Sequence, residues 1–484
     1  MSILFSILSG MYLKEMKKLF KLTILLLFPL CTCGQINTFR TGENILFSQK
    51  FLNKSNTQSF DTTTQISIVP RIFVVSSTSN NRTYNSYLLG VNLSANIGNK
   101  FTIIANYDKL EGNHNSLITD YLDSLGVYPA FGATNTRFHF NLKYNLNKFF
   151  TIDAGKGKHF IGNGYRSLLL SSEHSPYPYF KLTTEFGQVR YYNLYTTFLN
   201  PEMNDYGRKK HAALHFLEFS LTKNINIGVF ESILWQSKSE NVDKGFEFAY
   251  MNPIIFYRPV EFSMHSSKGN ALMGANINTT FYKTITYAQV LLDDLNISRK
   301  KDADENYEAG FFQNKFAFQF GLKTRIKGVN LLAEYNHTQP YTYGHRTILQ
   351  NYSHMNQSLA HPLGANFKEI VIITDYKKDR WNFRLKITSG KIGLDSLNTH
   401  YGQNIFASDY NASTGGQHSY GNFNGQGVLT TINTLQAEVV YSLKGIDVFG
   451  SVYCKKKKSD LVDQTSLWYS VGVRTFPFST FTDY

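Results

Sequence analysis

The sequence predicts an all-β fold, an antiparallel transmembrane β-barrel of the outer membrane with about eighteen strands. Its short turns would face the periplasm, and its long outer loops would fold into the barrel mouth. Three observations carry this. Stretches of period-two hydrophobic alternation recur along the chain, as in a strand whose two faces meet different media. Short polar turns, most with lysine, alternate with mostly longer loops. The chain also opens on an export signal.

The N-terminus comes first. Lys17, Lys18 and Lys21 precede an apolar run from Leu22 to Leu30, and Thr32-Cys33-Gly34 supplies small residues for cleavage. Residues 1–34 are therefore read as a signal peptide, with Met16 as the true start. The alternative is a lipid on Cys33, but Thr32 is a poor residue before an acylated cysteine. Residues 35–66 form an N-terminal periplasmic segment, and 67–484 the barrel. Cleavage leaves one thiol, Cys454, in step with Val448, Gly450 and Val452, so it reads as a small lipid-facing or packed group.

Composition agrees with a barrel. Tyr (31) and Phe (39) are abundant, charged residues make up 17%, and mean hydropathy is −0.26. No later apolar run reaches the ~18–20 residues of a membrane helix. The formal charge of +14 suggests anionic neighbours such as lipopolysaccharide or an acidic polysaccharide. No basic patch with interleaved aromatics points to nucleic acid.

Strands are expected at 68–77, 84–97, 100–110, 136–146, 149–157, 178–186, 188–199, 211–223 and 225–235. Nine more follow at 268–281, 284–293, 312–325, 328–337, 366–376, 379–390, 428–443, 446–457 and 463–476. Tyr87, Leu89, Val91 and Leu93 against Leu88, Gly90 and Asn92 show the alternation well. Nine short turns are expected. Eight are Gly98-Asn99-Lys100, Asn147-Lys148, Gly187-Gln188, Lys223-Asn224, Tyr282-Lys283-Thr284, Lys327-Gly328, Lys377-Lys378-Asp379 and Lys444-Gly445, with one more before the last strand pair closes. With periplasmic termini, these turns fall on one side. The segments 111–135, 158–177, 200–210, 236–267, 294–311, 338–365 and 391–427 fall on the other. The last strand alternates Leu467, Tyr469, Val471 and Val473, and the chain ends on Tyr484, as outer-membrane barrels commonly do.

Function is sought in the outer segments. The glycine-rich run 155–170 lacks the strand-to-helix context of a phosphate loop, so its glycines let the chain fold back inside the mouth. Arg166 would anchor that fold on a lumenal carboxylate. The aromatic, proline-bearing run 250–262 reads as an ordered irregular loop. Tyr341, Tyr343 and His345, with Asn356 and His361, suit sugar recognition, because rings stack on pyranose faces while amides read hydroxyls. Segment 116–125 reads as a short helix capping the mouth, and 391–427 as a Gly/Asn/Ser-rich surface loop. His345, His354 and His361 match no compact metal-ligand spacing, and hydrogen-bonded histidines are the simpler reading. Lys455–Lys458 reads either as a contact for lipopolysaccharide phosphates or as a solvated rim. Nucleophile-elbow and zincin motifs are missing, and no acid pair suggests a glycosidase. No catalytic residue, metal ligand or cofactor is assigned.

Four segments together carry a family resemblance: 157–171 (GKHFIGNGYRSLLLS), 178–184 (PYFKLTT), 250–262 (YMNPIIFYRPVEF) and 356–366 (NQSLAHPLGAN). They resemble the capsule-assembly Wzi family, especially its gliding-motility RemB-like branch in Bacteroidota, whose ending is similar to 471–484. The resemblance implies an eighteen-stranded barrel that holds capsular polysaccharide at the cell surface, and for the branch a part in gliding or spreading. A periplasmic helical plug, which Wzi proteins can carry, finds no helical periodicity before the first strand here.

The leading expectation is thus a non-enzymatic anchor that binds exported capsular or extracellular polysaccharide. Tyr165, Arg166, Tyr257, Arg258, Tyr341, Tyr343, His345, Asn356 and His361 would contact the ligand or shape the site. Expected partners are that polysaccharide, lipopolysaccharide and outer-membrane lipid, and gliding or secretion machinery proteins. Two other readings stand beside it: a structural or docking component of a gliding or secretion assembly, and a diffusion channel, which needs an open lumen.

Overall fold

The computed structural model describes residues 64–115, 136–201, 208–239, 242–243, 245–253, 269–295, 310–396, 399–409 and 420–477. The signal peptide, nearly all of the N-terminal segment, the 116–125 helix, Tyr257, Arg258 and the terminal Tyr484 lie outside the described residues.

The strands are β1 (Thr64–Ser79), β2 (Arg82–Ile97), β3 (Phe101–Asn113), β4 (Thr136–Asn145), β5 (Phe150–Gly157) and β6 (Tyr177–Phe186). There follow β7 (Val189–Leu199), β8 (Lys209–Thr222), β9 (Ile225–Gln236), β10 (Lys238–Ser239), β11 (Val242–Asp243) and β12 (Asn270–Phe281). Next are β13 (Thr284–Asp294), β14 (Lys315–Ile326), β15 (Val329–Thr338), β16 (Ser353–His354) and β17 (Gln357–Ser358). The last are β18 (Phe367–Lys378), β19 (Trp381–Leu394), β20 (Val428–Leu443), β21 (Ile446–Lys458) and β22 (Asp463–Arg474). The pairs β10–β11 and β16–β17 are two-residue hairpins. The other eighteen strands form one antiparallel sheet, closed where β1 pairs with β22 from Phe73↔Arg474 to Thr78↔Tyr469.

Each of the eighteen expected strands is present, with ends shifted by a few residues. Most gain length, because ladder hydrogen bonds continue into polar residues beyond the apolar band. One expectation is corrected: there is no ninth short turn on the inner side. The final pair, β21 and β22, connects through 459–462 at the outer end, so eight inner turns serve the barrel.

The alternation becomes an inside and an outside. In β2, Tyr87, Leu89, Val91 and Leu93 are exposed, whereas Ser86 and Leu88 face the interior and are buried. A wall with exposed apolar side chains and no free sheet edge is stable only in lipid, so the protein is a multi-pass β-barrel of the outer membrane. At the inner end Trp381 packs on Tyr441 (centroids 4.7 Å apart), the position of an interfacial aromatic girdle. Cys454 is half-buried on the outward face of β21.

Candidate functional site: infolded outer segments and the lumen wall

Three outer segments fold into the barrel: 158–176 between β5 and β6, 339–366 between β15 and β18, and 399–409 with 420–427 between β19 and β20. Irregular backbone at membrane depth must find its partners inside the protein, and here wall side chains supply many of them. The Tyr165 and Arg166 N–H groups donate to Glu334 at 2.8 and 3.1 Å, and the Leu168 N–H donates to Gln289 Oε1 at 3.0 Å. The glycines permit this approach. A Cβ on Gly162 would collide with the Gln289 amide, and one on Gly164 with the Glu334 carboxylate. Ser167 Oγ accepts from the Leu169 and Leu170 N–H groups, folding the tip back so that Ile161 bridges Leu170.

A buried charge cluster fixes the segment. The Arg166 guanidinium lies between Glu173 of its own loop (2.7 Å) and Glu369 of β18 (3.2 Å), all three nearly inaccessible. His361 Nε2–H donates to Glu369 at 2.7 Å while its Nδ1 accepts from the Leu363 N–H, which fixes the neutral tautomer. Burial draws the His361 pKa below the ordinary range, and neighbouring Glu369 opposes part of that shift. Two wall lysines hold the other segments. Lys210 Nζ donates to Asn351 O (2.7 Å) and Ser353 Oγ (2.9 Å), and Lys315 pairs with Asp409.

Tyrosines act as struts between segments. Tyr343, fully buried, donates from its hydroxyl to Leu168 O at 2.8 Å, and Tyr352 donates to Leu169 O at 2.7 Å. Together with Leu168, Leu169, Leu170, Leu359 and Ile405 these rings pack on wall residues of β6–β9 and β12–β14. Tyr341 is buried at the 399–409 segment, its hydroxyl bonded to His400 O (3.1 Å) and its φ (66°) in the left-handed region.

The sequence-assigned residues are therefore brought together only in part. Tyr165, Arg166, Tyr343 and His361 share one network. His345 instead caps its own turn by accepting the Thr347 N–H, and Asn356 (φ 58°) turns the β16–β17 hairpin. Tyr165 packs on Leu332, Val371 and Ile373, with its N–H held by Glu334. Rings and polar groups assigned to sugar contact serve the protein's own packing, since a loop inside a barrel must first satisfy itself. Sequence reasoning missed the wall partners Glu334, Glu369, Gln289, Lys210 and Lys315, and the loop residue Asp409 that pairs with Lys315. Their only signal is a charged or amide group on the polar face of a strand or in a loop, which does not reveal which loop it meets.

Of the segment 250–262, expected to join this site, the described residues 250–253 lie elsewhere. Its described part, with residues before it, lies against the outside of the wall. Tyr250 packs on Trp235 (4.8 Å between centroids), Phe246 packs on Trp235 and His211, and Tyr195 and Tyr191 hydroxyls donate to Met251 O (2.9 Å) and Pro253 O (2.6 Å). In the same stretch of wall, Asn193, His215 and Glu231 pair across β7, β8 and β9 on the outward face and are buried. Polar groups facing lipid are costly, and this strap of chain helps enclose the outward wall that bears them.

The lumen wall away from the infolded core carries paired charges. Arg71, Gly90, Asp108 and Arg137 form one cross-strand row, and both guanidiniums reach the single Asp108 carboxylate at 2.7 Å. A Cβ on Gly90 would collide with that carboxylate, so glycine leaves Arg71 its path. Lys181 pairs with Asp153 (3.1 Å) and Arg384 with Asp375 (2.9 Å). These four cations keep 16–21% of their side chains accessible, while their carboxylates keep 1–9%.

No family model matches the chain, and no curated protein matches it. Among solved structures it is similar to OprD from Pseudomonas aeruginosa, at 10% identity and a TM-score of 0.45 over 87% of this chain and 98% of that one. A BenF-like porin from Pseudomonas fluorescens Pf-5 gives 9%, 0.48, 87% and 100%. OccK2 from P. aeruginosa, solved in complex with glucuronate, gives 9%, 0.45, 87% and 100%. The expected membership of the capsule-assembly Wzi family is corrected accordingly: these structures are a porin and outer-membrane proteins of the OprD and Occ type. The expectation of a polysaccharide anchor, with its capsule and gliding roles, is corrected with it. The tyrosines and histidines described at its supposed site are engaged inside the barrel.

Proposed function

We propose that this protein is a narrow, non-enzymatic outer-membrane pore that passes small anionic solutes. The observation that carries this reading is the asymmetry of the lumen wall. Arg71, Arg137, Lys181 and Arg384 face accessible space, while Asp108, Asp153 and Asp375 are buried beside them. A solute passing the wall meets guanidinium and ammonium groups first, and low-dielectric surroundings strengthen their field. The carboxylates hold the cations in place, and two arginines on one aspartate leave a local excess of positive charge. The infolded segments narrow the outer half and supply selectivity by size.

Planar-bilayer recording of the purified full chain tests the proposal. Stepwise conductance with a reversal potential favouring chloride over potassium in a salt gradient is expected, and Arg137→Gln should reduce that preference roughly twofold. Absence of conductance steps, or a preference for potassium, would overturn it.

A further inference from the structure

The outward face of β18–β22 carries cations that the lumen has no use for. The ladder registers align Lys368 (β18), Lys391 (β19), Thr431 (β20), Lys458 (β21) and Asp463 (β22) in one row at the outer rim. Directly below, Ser389, Asn433, Lys456 and Thr465 form the next outward row. Strand parity fixes the side: Ile370 and Ile372, in step with Lys368, are exposed, whereas Phe367, Glu369 and Val371 are buried inside. Lys368 stands directly opposite Lys391, and like charges facing each other across a ladder are destabilising. Among the described residues, the ammonium groups of Lys368, Lys391, Lys456 and Lys458 form no hydrogen bond or ion pair with a carboxylate. Asp463 at the row's end is the acid nearest in register.

An apolar groove lies lower on the same outward wall, across β20, β21, β22 and the seam strand β1. Its volume is about 490 Å³, and Ser76, Ala437, Val439, Gly450, Val452 and Val471 line it, so small side chains form the depression between larger ones. Val452 is four residues below Lys456, roughly 13 Å along a strand, which is on the scale of an acyl chain under its headgroup. Cations at the leaflet rim above an apolar slot match a molecule with phosphates at one end and hydrocarbon at the other.

We infer that β18–β22, together with β1 at the seam, form a docking site for a phosphorylated, multiply acylated lipid of the outer leaflet. Its phosphates would sit among Lys368, Lys391, Lys456 and Lys458, with an acyl chain in the groove beneath. The anion removes the Lys368–Lys391 repulsion, and the groove favours a lipid over a soluble phosphate.

Native mass spectrometry of the detergent-solubilised full chain, titrated with bis-phosphorylated lipid A, tests the site. Lys391→Gln with Lys458→Gln should weaken binding about tenfold or more, given about 1 kcal/mol for each surface cation beside an anionic headgroup. Lys377→Gln with Lys378→Gln at an inner turn should leave it unchanged. Gly450→Leu, where an added Cβ has only Ser470 O at 3.9 Å, should weaken lipid binding by filling the groove. Dephosphorylated lipid A should bind the unaltered protein as weakly as intact lipid binds the lysine variant. Equal binding by the lysine variant, equal binding of the dephosphorylated lipid, or complete displacement of lipid by inorganic pyrophosphate would each overturn the inference. An unchanged Gly450→Leu would remove the groove from it.

Discussion

At the scale of single residues, charge burial decides what each group can do. Arg166 is enclosed with two carboxylates, one from its own loop and one from the wall. Removing one partner from such a cluster leaves an uncompensated buried charge, worth about 3–5 kcal/mol. Arg166→Met should therefore release 158–176 from β18. Protease cleavage within that segment should rise in the variant while the barrel stays folded; a cleavage pattern like the wild type's would count against the anchor. Lys158, at the start of the same segment, has its pKa drawn down from 10.5 to about 7 by burial and by nearby Arg137. Its folded value lies below its unfolded one, so the charge is present below about pH 7 and lost as pH rises through it. Anion preference in bilayers should thus decline between pH 6 and 8, and Lys158→Met should flatten that decline. Over the window from about 7 to 10.5 the unfolded chain binds the extra proton, so this group makes stability rise with pH.

At the scale of elements, the glycine-rich, histidine-bearing and aromatic loops look alike in sequence but go to different places. The alternation that marks β5 and β6 ends at Gly157, and the glycines that follow mark a chain able to approach the wall closely. That much was legible. The destination of 246–253 was not, because aromatics and prolines suit packing on either side of a barrel. Its placement depends on outward-facing Trp235, Tyr195 and Tyr191, whose parity is readable but whose cover is not. Tyr250→Ala should cost about 3–5 kcal/mol of local packing, exposing the strap to protease while leaving conductance unchanged. A variant as resistant as the wild type would show that the strap does not depend on this ring.

At the scale of the whole molecule, closure matters most. With β1 paired to β22, the sheet has no edge in lipid, and each strand is stabilised by both neighbours. The folded barrel should resist dodecyl sulfate at room temperature and migrate differently once boiled, and a chain ending at residue 462 should lose that difference. Persistence of the folded band in the truncated chain would mean that the seam is dispensable. Strand number, order and sidedness follow from period-two alternation and turn length, which are local properties of the chain, and these the sequence by itself determined. It also marked Arg166 as an anchor. Tertiary structure alone decided that Tyr343 and His361 brace the infolded segments, that Glu334 and Glu369 receive the 158–176 segment, and that Lys368, Lys391 and Lys458 share one rim. These relations join residues far apart in the chain through ladder registers and loop paths, and local pattern carries no record of either.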